Sequence, residues 1–301
     1  MLDQIKGFHI EPTNMCTSKC PRCSRTEFIE KFPKRWTNKN LKLDHLKNFL
    51  DINLQGKNIS LCGNYGDPIY YDQLFEMINF FKEQGCSIRL ATNGSYKTEK
   101  WWKELIEILT SEDEVIFGID GLPENYMNYR INSEWESVLA GLRILANSKI
   151  KTVWQCIPFS FNENKIDAIK NFALNIGVDE FLLLPSNRWV SNQDELKPST
   201  PFAEERIASN IIWTSYDKTK LIDPQCKKDH NQHFISADGY YLPCCYIGDY
   251  RFYYKTEFYK NRDLYDISKT TITEVLTSLT DFYSTLEDAK LNYCTFNCPK
   301  L

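Results

Sequence analysis

A chain of 301 residues with 42% hydrophobic side chains can bury a sizeable core, as one large domain or a barrel with an appendage. A formal net charge of −4 and an isoelectric point near 5.7 argue against a nucleic-acid binder, whose surface would be basic. The opening run MLDQIKGFHIEP lacks the apolar stretch of a signal peptide, and no membrane-spanning length of apolar residues occurs anywhere, so the expected location is cytoplasmic. Eleven cysteines in such a chain point to metal binding or catalysis rather than disulfides.

In chain order, short apolar runs alternate with amphipathic stretches. Strands are expected over residues 5–10, 59–62, 87–91, 114–119, 152–157 and 180–184. Helices are expected over residues 43–53, 71–84, 98–110, 134–148 and 165–176, where apolar residues recur at three- and four-residue steps. Gly85 and Gly177 follow helices, and Asn93-Gly94 follows a strand, where such punctuation belongs. The lysine-rich stretch from Lys31 to Lys47 reads as a solvated loop and helix start. Six strands alternating with helices predict an α/β fold with a parallel sheet and right-handed crossovers. In such βα architectures chemistry collects at the C-terminal ends of the strands.

The first strand leads into Cys16-x3-Cys20-x2-Cys23. Three thiolates within eight residues can hold three irons of a [4Fe–4S] cube and leave the fourth open to a substrate or cosubstrate. A zinc site is the alternative, although zinc usually draws two cysteine pairs or a pair plus histidines, and no histidine lies close after Cys23.

This spacing after a strand resembles the signature of the radical S-adenosylmethionine (radical SAM) enzymes. The resemblance implies a partial (β/α)6 barrel, and a [4Fe–4S] cluster whose open iron binds the amino and carboxylate groups of SAM. It also implies cleavage of SAM to a 5′-deoxyadenosyl radical that abstracts hydrogen from substrate. Arg22 departs from the family, which usually carries an aromatic residue there. Other strand ends extend the likeness. Cys62-Gly63-Asn64-Tyr65-Gly66-Asp67-Pro68 resembles the Gly-Gly-Glu-Pro segment that binds the SAM ammonium, with Asp67 in place of glutamate and Asn64 and Tyr65 as substitutions. Thr92-Asn93-Gly94 and Ile119-Asp120-Gly121 resemble two further family turns, and Arg130 stands where relatives place an arginine able to meet the SAM carboxylate. The resemblance therefore implies SAM-binding roles for Asn64, Tyr65, Gly66, Asp67, Thr92, Asn93, Asp120 and Arg130. A structural reading competes, since Asn-Gly and Asp-Gly are common turns.

From about residue 186 the βα rhythm stops. A polar, proline-containing loop (185–201) leads to an expected helix (202–215), and residues 234–243 read as a hairpin with an Asp-Gly turn. Around it lie Cys226, Cys244, Cys245, Cys294 and Cys298. This tail resembles the SPASM and twitch extensions of radical SAM proteins, and five cysteines suit a twitch domain with one auxiliary [4Fe–4S] cluster. Its ligands are then Cys226, Cys244, Cys294 and Cys298, with Cys245 undecided; four cysteines would also suit a structural zinc. The expected division is a barrel over residues 1–190 and a small α+β domain over 191–301. Cys62, Cys86 and Cys156 read as buried apolar residues, Cys62 being a partial exception because it borders the SAM-like loop, and the tyrosine-rich stretch 249–254 reads as core or site lining.

A second cluster implies net oxidation, because a substrate radical must lose one more electron and a proton to become a carbonyl or alkene. Candidates for a base on strand ends are Asp120, Gln155 and Arg188, and the sequence selects none. An external reductant of flavodoxin or ferredoxin type is implied. Two substrate classes fit: small molecules such as sugars, cyclitols or nucleosides, and ribosomally made peptides or protein side chains. With the first strand expected from residue 5, no leader-recognition domain is expected before it, which lowers the peptide class without removing it, since recognition can reside in a separate chain. A non-enzyme reading, zinc-binding or electron-transfer protein, leaves the SAM-like turns unexplained.

Overall fold

The structure, a computed structural model, describes residues 2–186, 189–191, 193–199 and 233–278. The expected helix at 202–215 and Arg188, Cys226, Cys294 and Cys298 lie outside the described residues. The described residues fall into two compact units. One is built from residues 2–15, 37–87 and 233–278, the other from 16–36, 88–186 and the described part of 189–199.

In the first unit, β1 (Gly7–Ile10) pairs in parallel with β2 (Asn58–Leu61) on one side and with β7 (His233–Ile235) on the other. β7 turns back antiparallel into β8 (Tyr241–Leu242). The hairpin expected from the sequence is thus present, and Gly239 at φ +82° supplies the left-handed residue of its turn. Its parallel pairing with β1 was not legible, because a hairpin carries no record of which edge it joins. Helices α2 (Leu43–Phe49) and α3 (Leu74–Glu83) belong to the same unit. On α3, Leu74, Met77, Ile78 and Phe81 recur at helical spacing and are all buried.

In the second unit, β3 (Ser87–Thr92), β4 (Glu114–Gly118), β5 (Lys151–Cys156) and β6 (Glu180–Leu183) are parallel neighbours in that order. Between them run α4 (Glu99–Ile108), α5 (Trp135–Ala146) and α6 (Ile166–Ile176), while α1 (Ser24–Lys31) follows the cysteine loop. Thr98 caps α4 by accepting the Trp101 N–H at 3.2 Å. Gly141 on α5 leaves room for the fully buried Trp102 of α4; a Cβ there would stand 2.5 Å from the indole. Gly177 ends α6 in the left-handed region at φ +101°.

The fold class is α/β with mostly parallel strands, as expected. All five expected helices are shorter than the periodicity suggested, α2 and α3 by the most. α2 stops at Phe49, and Asn53 then accepts the Gln55 N–H at 3.0 Å, a side-chain turn that competes with further helix. α3 starts at Leu74 because a 3₁₀ turn, Pro68–Tyr70, comes first and Tyr71 is pinned by its hydroxyl to Leu41 O at 2.7 Å. No helix among the described residues is long and apolar enough to cross a membrane.

Candidate functional site

In the second unit the three-cysteine loop is stitched to the segment after β4. Lys19 N–H donates to Ile131 O at 2.8 Å, Asn132 Nδ2 donates to Thr17 O at 2.8 Å, and the Ser18 and Ser133 hydroxyls meet at 2.7 Å. Cys23 N–H donates to Cys20 O at 3.1 Å, and α1 starts directly after Cys23. Cys16 and Cys23 are partly exposed, whereas Cys20 is buried with Tyr129 and Phe159, edged by Ile157, Phe161, Trp189 and Leu196. The Tyr129 and Phe159 rings lie 4.2 Å apart, and Trp189 meets Phe159 edge-on at 5.8 Å. This aromatic wall was not found from the sequence, because its members are spread over three segments and follow no periodicity.

Strand ends bring polar groups to these sulfurs. Asn93, just past β3, donates from Nδ2 to Cys16 Sγ at 3.3 Å, while its Oδ1 accepts the Ser95 N–H at 2.8 Å. Thr92 Oγ1 accepts the Gly94 N–H at 2.9 Å, and Gly94 sits at φ +74°. Past β4, Asp120 Oδ2 accepts Arg130 Nε at 2.7 Å and Oδ1 accepts the Ile157 N–H at 2.8 Å. Both carboxylate oxygens are therefore engaged, and Asp120 is placed to hold Arg130 and the end of β5 rather than to offer a free base. Burial disfavours the Arg130 charge, but Asp120 and Cys20 outweigh it and keep the guanidinium firmly protonated. Arg130 crosses β4 at Gly118, where a Cβ would stand 2.8 Å from Nη2. Burial pushes the Cys20 thiol up to about 12, with Arg130 opposing as a nearby cation and hydrogen-bond donor. Gln155 lies on β5 opposite Gly118 and Leu182, and its carbonyl accepts the Ile119 N–H at 2.9 Å.

Arg22 spends its guanidinium on a forked pair with Asp194: Nε to Oδ2 and Nη2 to Oδ1, both 2.9 Å. Asp194, whose side chain is fully buried, also accepts the Val190 and Leu196 N–H groups at 2.8 and 3.0 Å. Burial works against its charge, but the Arg22 and backbone donors hold the carboxyl below the usual carboxylate range. The departure at Arg22 is thus a clamp between the cysteine loop and the segment carrying Trp189 and Leu196.

In the first unit, the loop after β2 is drawn in by Glu11, just past β1. Glu11 Oε1 accepts the N–H groups of Tyr65 and Gly66 at 2.8 and 3.3 Å, and Oε2 accepts that of Ala237 at 3.4 Å. Burial raises this carboxyl to about 7 against the pull of those three donors. Gly66 has no room for a side chain, since a Cβ would stand 1.8 Å from Thr13 O. Asp67 caps the 3₁₀ turn after it by accepting the Ile69 N–H at 3.2 Å. Asn64 Nδ2 donates to Cys245 O at 2.6 Å. Cys244 and Cys245 are both partly exposed, and burial of its sulfur raises the Cys245 thiol. Glu11 was missed because a single glutamate before a proline gives no pattern.

The second unit thus joins a parallel βα framework to a loop of three cysteines at its strand ends, with the Asn93 amide on the Cys16 sulfur and the Arg130 guanidinium as the cation near Cys20. Among the described residues the three sulfurs do not close into a group that would hold a metal ion as they stand, while the chemistry of three thiols with an N–H donor suits an iron–sulfur cluster. The model of the Radical SAM superfamily matches residues 10–174, more than half of the chain. The chain belongs to the radical SAM superfamily, and its cofactors are a [4Fe–4S] cluster and SAM. A tungsten-containing aldehyde ferredoxin oxidoreductase cofactor-modifying protein of Pyrococcus furiosus is 23% identical over 250 residues, 79% of this chain. The match spans only 64% of that relative's length. Among solved structures, anSMEcpe with bound AdoMet is similar at a TM-score of 0.59 and 14% identity, covering 93% of this chain and 82% of that one. Streptococcus suis SuiB bound to S-adenosylmethionine is similar at 0.58 and 15% identity, covering 80% and 60%. At these identities the structural likeness speaks for the fold.

Proposed function

We propose that the protein is a radical SAM enzyme that oxidises a small molecule, of sugar, cyclitol or nucleoside kind, after hydrogen abstraction. The observation that carries the reading is the set of cysteines Cys16, Cys20 and Cys23 at the strand ends, with the Asn93 amide donating to the Cys16 sulfur. When bound, the cluster and SAM supply a 5′-deoxyadenosyl radical that takes one hydrogen atom, and an auxiliary cluster supplies the acceptor for the electron that must follow. Cys16, Cys20 and Cys23 hold the first cluster. Cys226, Cys244, Cys294 and Cys298 hold the auxiliary one. By the family resemblance, the backbone of residues 64–67 is the proposed partner of the SAM ammonium and Arg130 that of its carboxylate, with Thr92, Asn93 and Asp120 as further SAM-binding candidates. Asp120 acts as a positioning residue, since both of its oxygens are engaged. The functional division is a barrel over residues 1–190 and an auxiliary-cluster domain over 191–301. A flavodoxin- or ferredoxin-type protein delivers the first electron.

A second reading, modification of a peptide or protein side chain, draws support from relatives of the same fold: SuiB is known bound to the precursor peptide SuiA, and anSMEcpe with the Cp18Cys peptide. The test is product analysis under anaerobic conditions. With SAM and dithionite the reconstituted protein should release 5′-deoxyadenosine, and Cys20→Ala should release none. A deuterated small substrate should pass deuterium into that product. Deuterium transferred only from peptides would replace the small-molecule reading with the second one, and no 5′-deoxyadenosine under any condition would remove both.

A further inference from the structure

The loop after β2 is fastened to the segment that carries Cys244 and Cys245, and every fastening lies within the first unit. Tyr65 uses its hydroxyl twice: it donates to Gly248 O at 3.1 Å and accepts the Tyr250 N–H at 2.6 Å. Burial raises this phenol well above its ordinary range, so it stays protonated and keeps its donor. Asn64 Nδ2 reaches Cys245 O at 2.6 Å. Glu11 bonds the loop through Oε1 and the hairpin turn, at Ala237, through Oε2. Gly248 leaves no slack at this junction: a Cβ there would stand 2.8 Å from the Phe234 ring and 3.2 Å from Asn64 Nδ2. Asn64 and Tyr65 are, with Asp67, the positions at which the loop departs from the segment it resembles. Their side chains do not stand idle; both reach the cysteine-bearing segment.

The geometry points to Tyr65 and Asn64, with Glu11, as positioning residues that couple the loop after β2 to the Cys244–Cys245 segment, so that order in one segment stabilises the other. The consequence for binding rests on the reading above, in which residues 64–67 meet the SAM ammonium and Cys244 is a ligand of the auxiliary cluster. Loading that cluster then orders the SAM loop, and SAM binds tightly only to protein whose auxiliary segment is in place. The physical basis is the cost of orphaned groups. If the Cys244–Cys245 segment shifts, the Tyr65 hydroxyl and the Asn64 amide lose buried partners, and the loop loses its fixed shape.

Two measurements test the coupling. In the protein as purified, without added iron, Tyr65→Phe should accelerate amide hydrogen exchange both in residues 62–68 and in residues 244–250. Acceleration confined to 62–68 would overturn the coupling. A melting temperature close to wild type would show that the variant folds, and Asn64→Ala serves as the second variant if it does not. In reconstituted protein, Tyr65→Phe, which removes both hydrogen bonds of the hydroxyl, and Cys244→Ala, which removes a ligand of the auxiliary segment, should each weaken SAM binding about tenfold or more. In Tyr65→Phe the KM for SAM should rise by a larger factor than the rate at saturating SAM falls. The double variant should bind no more weakly than the worse single one, because both break the same link; effects that multiply would overturn the proposal. Iron content unchanged in Cys244→Ala would remove that residue as a ligand, and the exchange experiment would still decide the coupling.

Discussion

Asn93 shows how much one side chain can do at this site. Its oxygen builds its own turn and its amide nitrogen reaches the Cys16 sulfur, so the turn residue that the sequence singled out is also a donor to a proposed cluster ligand. Hydrogen bonds to cluster sulfurs stabilise the reduced, more negative state and raise the potential. Asn93→Ala should therefore retain iron but lower the midpoint potential, by an amount on the order of 1 kcal/mol, the usual net worth of such a bond. A redox titration followed by EPR measures this, and an unchanged potential would remove Asn93 from the cluster's surroundings. Arg22 makes the opposite kind of case. Its forked pair with a fully buried Asp194 leaves an uncompensated carboxylate when the guanidinium is removed. Arg22→Ala should cost about 3 kcal/mol of stability by denaturant titration. Arg22→Lys should recover only part of it, because an ammonium cannot match the fork.

At the scale of elements, the six parallel strands fall within one or two residues of the runs read from the sequence, because period and punctuation fix a strand locally. Helix ends were less legible, since α2 and α3 are trimmed by side-chain turns that depend on Asn53 and Tyr71 finding partners. The helix α1 was not foreseen at all; only Ser24 and Phe28 on it are buried, too sparse a set to show a period. Site residues divide the same way. Cysteine spacing and the Asn-Gly and Asp-Gly turns are written in consecutive residues, whereas Glu11, the Asp194 clamp and the Tyr129–Phe159–Trp189 wall exist only once distant segments meet. Glu11 also sets a pH dependence for the first unit. Its carboxyl lies near 7 in the fold against 4.5 ordinarily, raised by burial, with Asp238 adding to the effect and Tyr65 and Cys245 close by. The folded state therefore holds this proton more tightly than the unfolded chain. Its contribution is greatest below about pH 4.5 and declines as pH rises towards 7, by about 3 kcal/mol in total. Melting temperature should fall from pH 5 to pH 8 more steeply in wild type than in Glu11→Gln, which carries no titrating group there. Parallel curves would show that this carboxyl does not titrate in that window.

For the whole molecule, family membership fixes the cofactors, and the sequence of reactions follows from how many clusters the chain carries. One cluster suffices to abstract hydrogen. Net oxidation needs somewhere for the next electron to go, and the second cysteine set is the proposed place. The most direct test of the account is anaerobic iron and sulfide analysis with EPR, on wild type and on a Cys16/Cys20/Cys23→Ala variant. The account predicts ~8 irons per chain in wild type and ~4 in the variant, four to a cube, with a SAM-induced change in the wild-type spectrum that the variant lacks. Zinc in place of iron, or a SAM response that survives loss of the three cysteines, would contradict it.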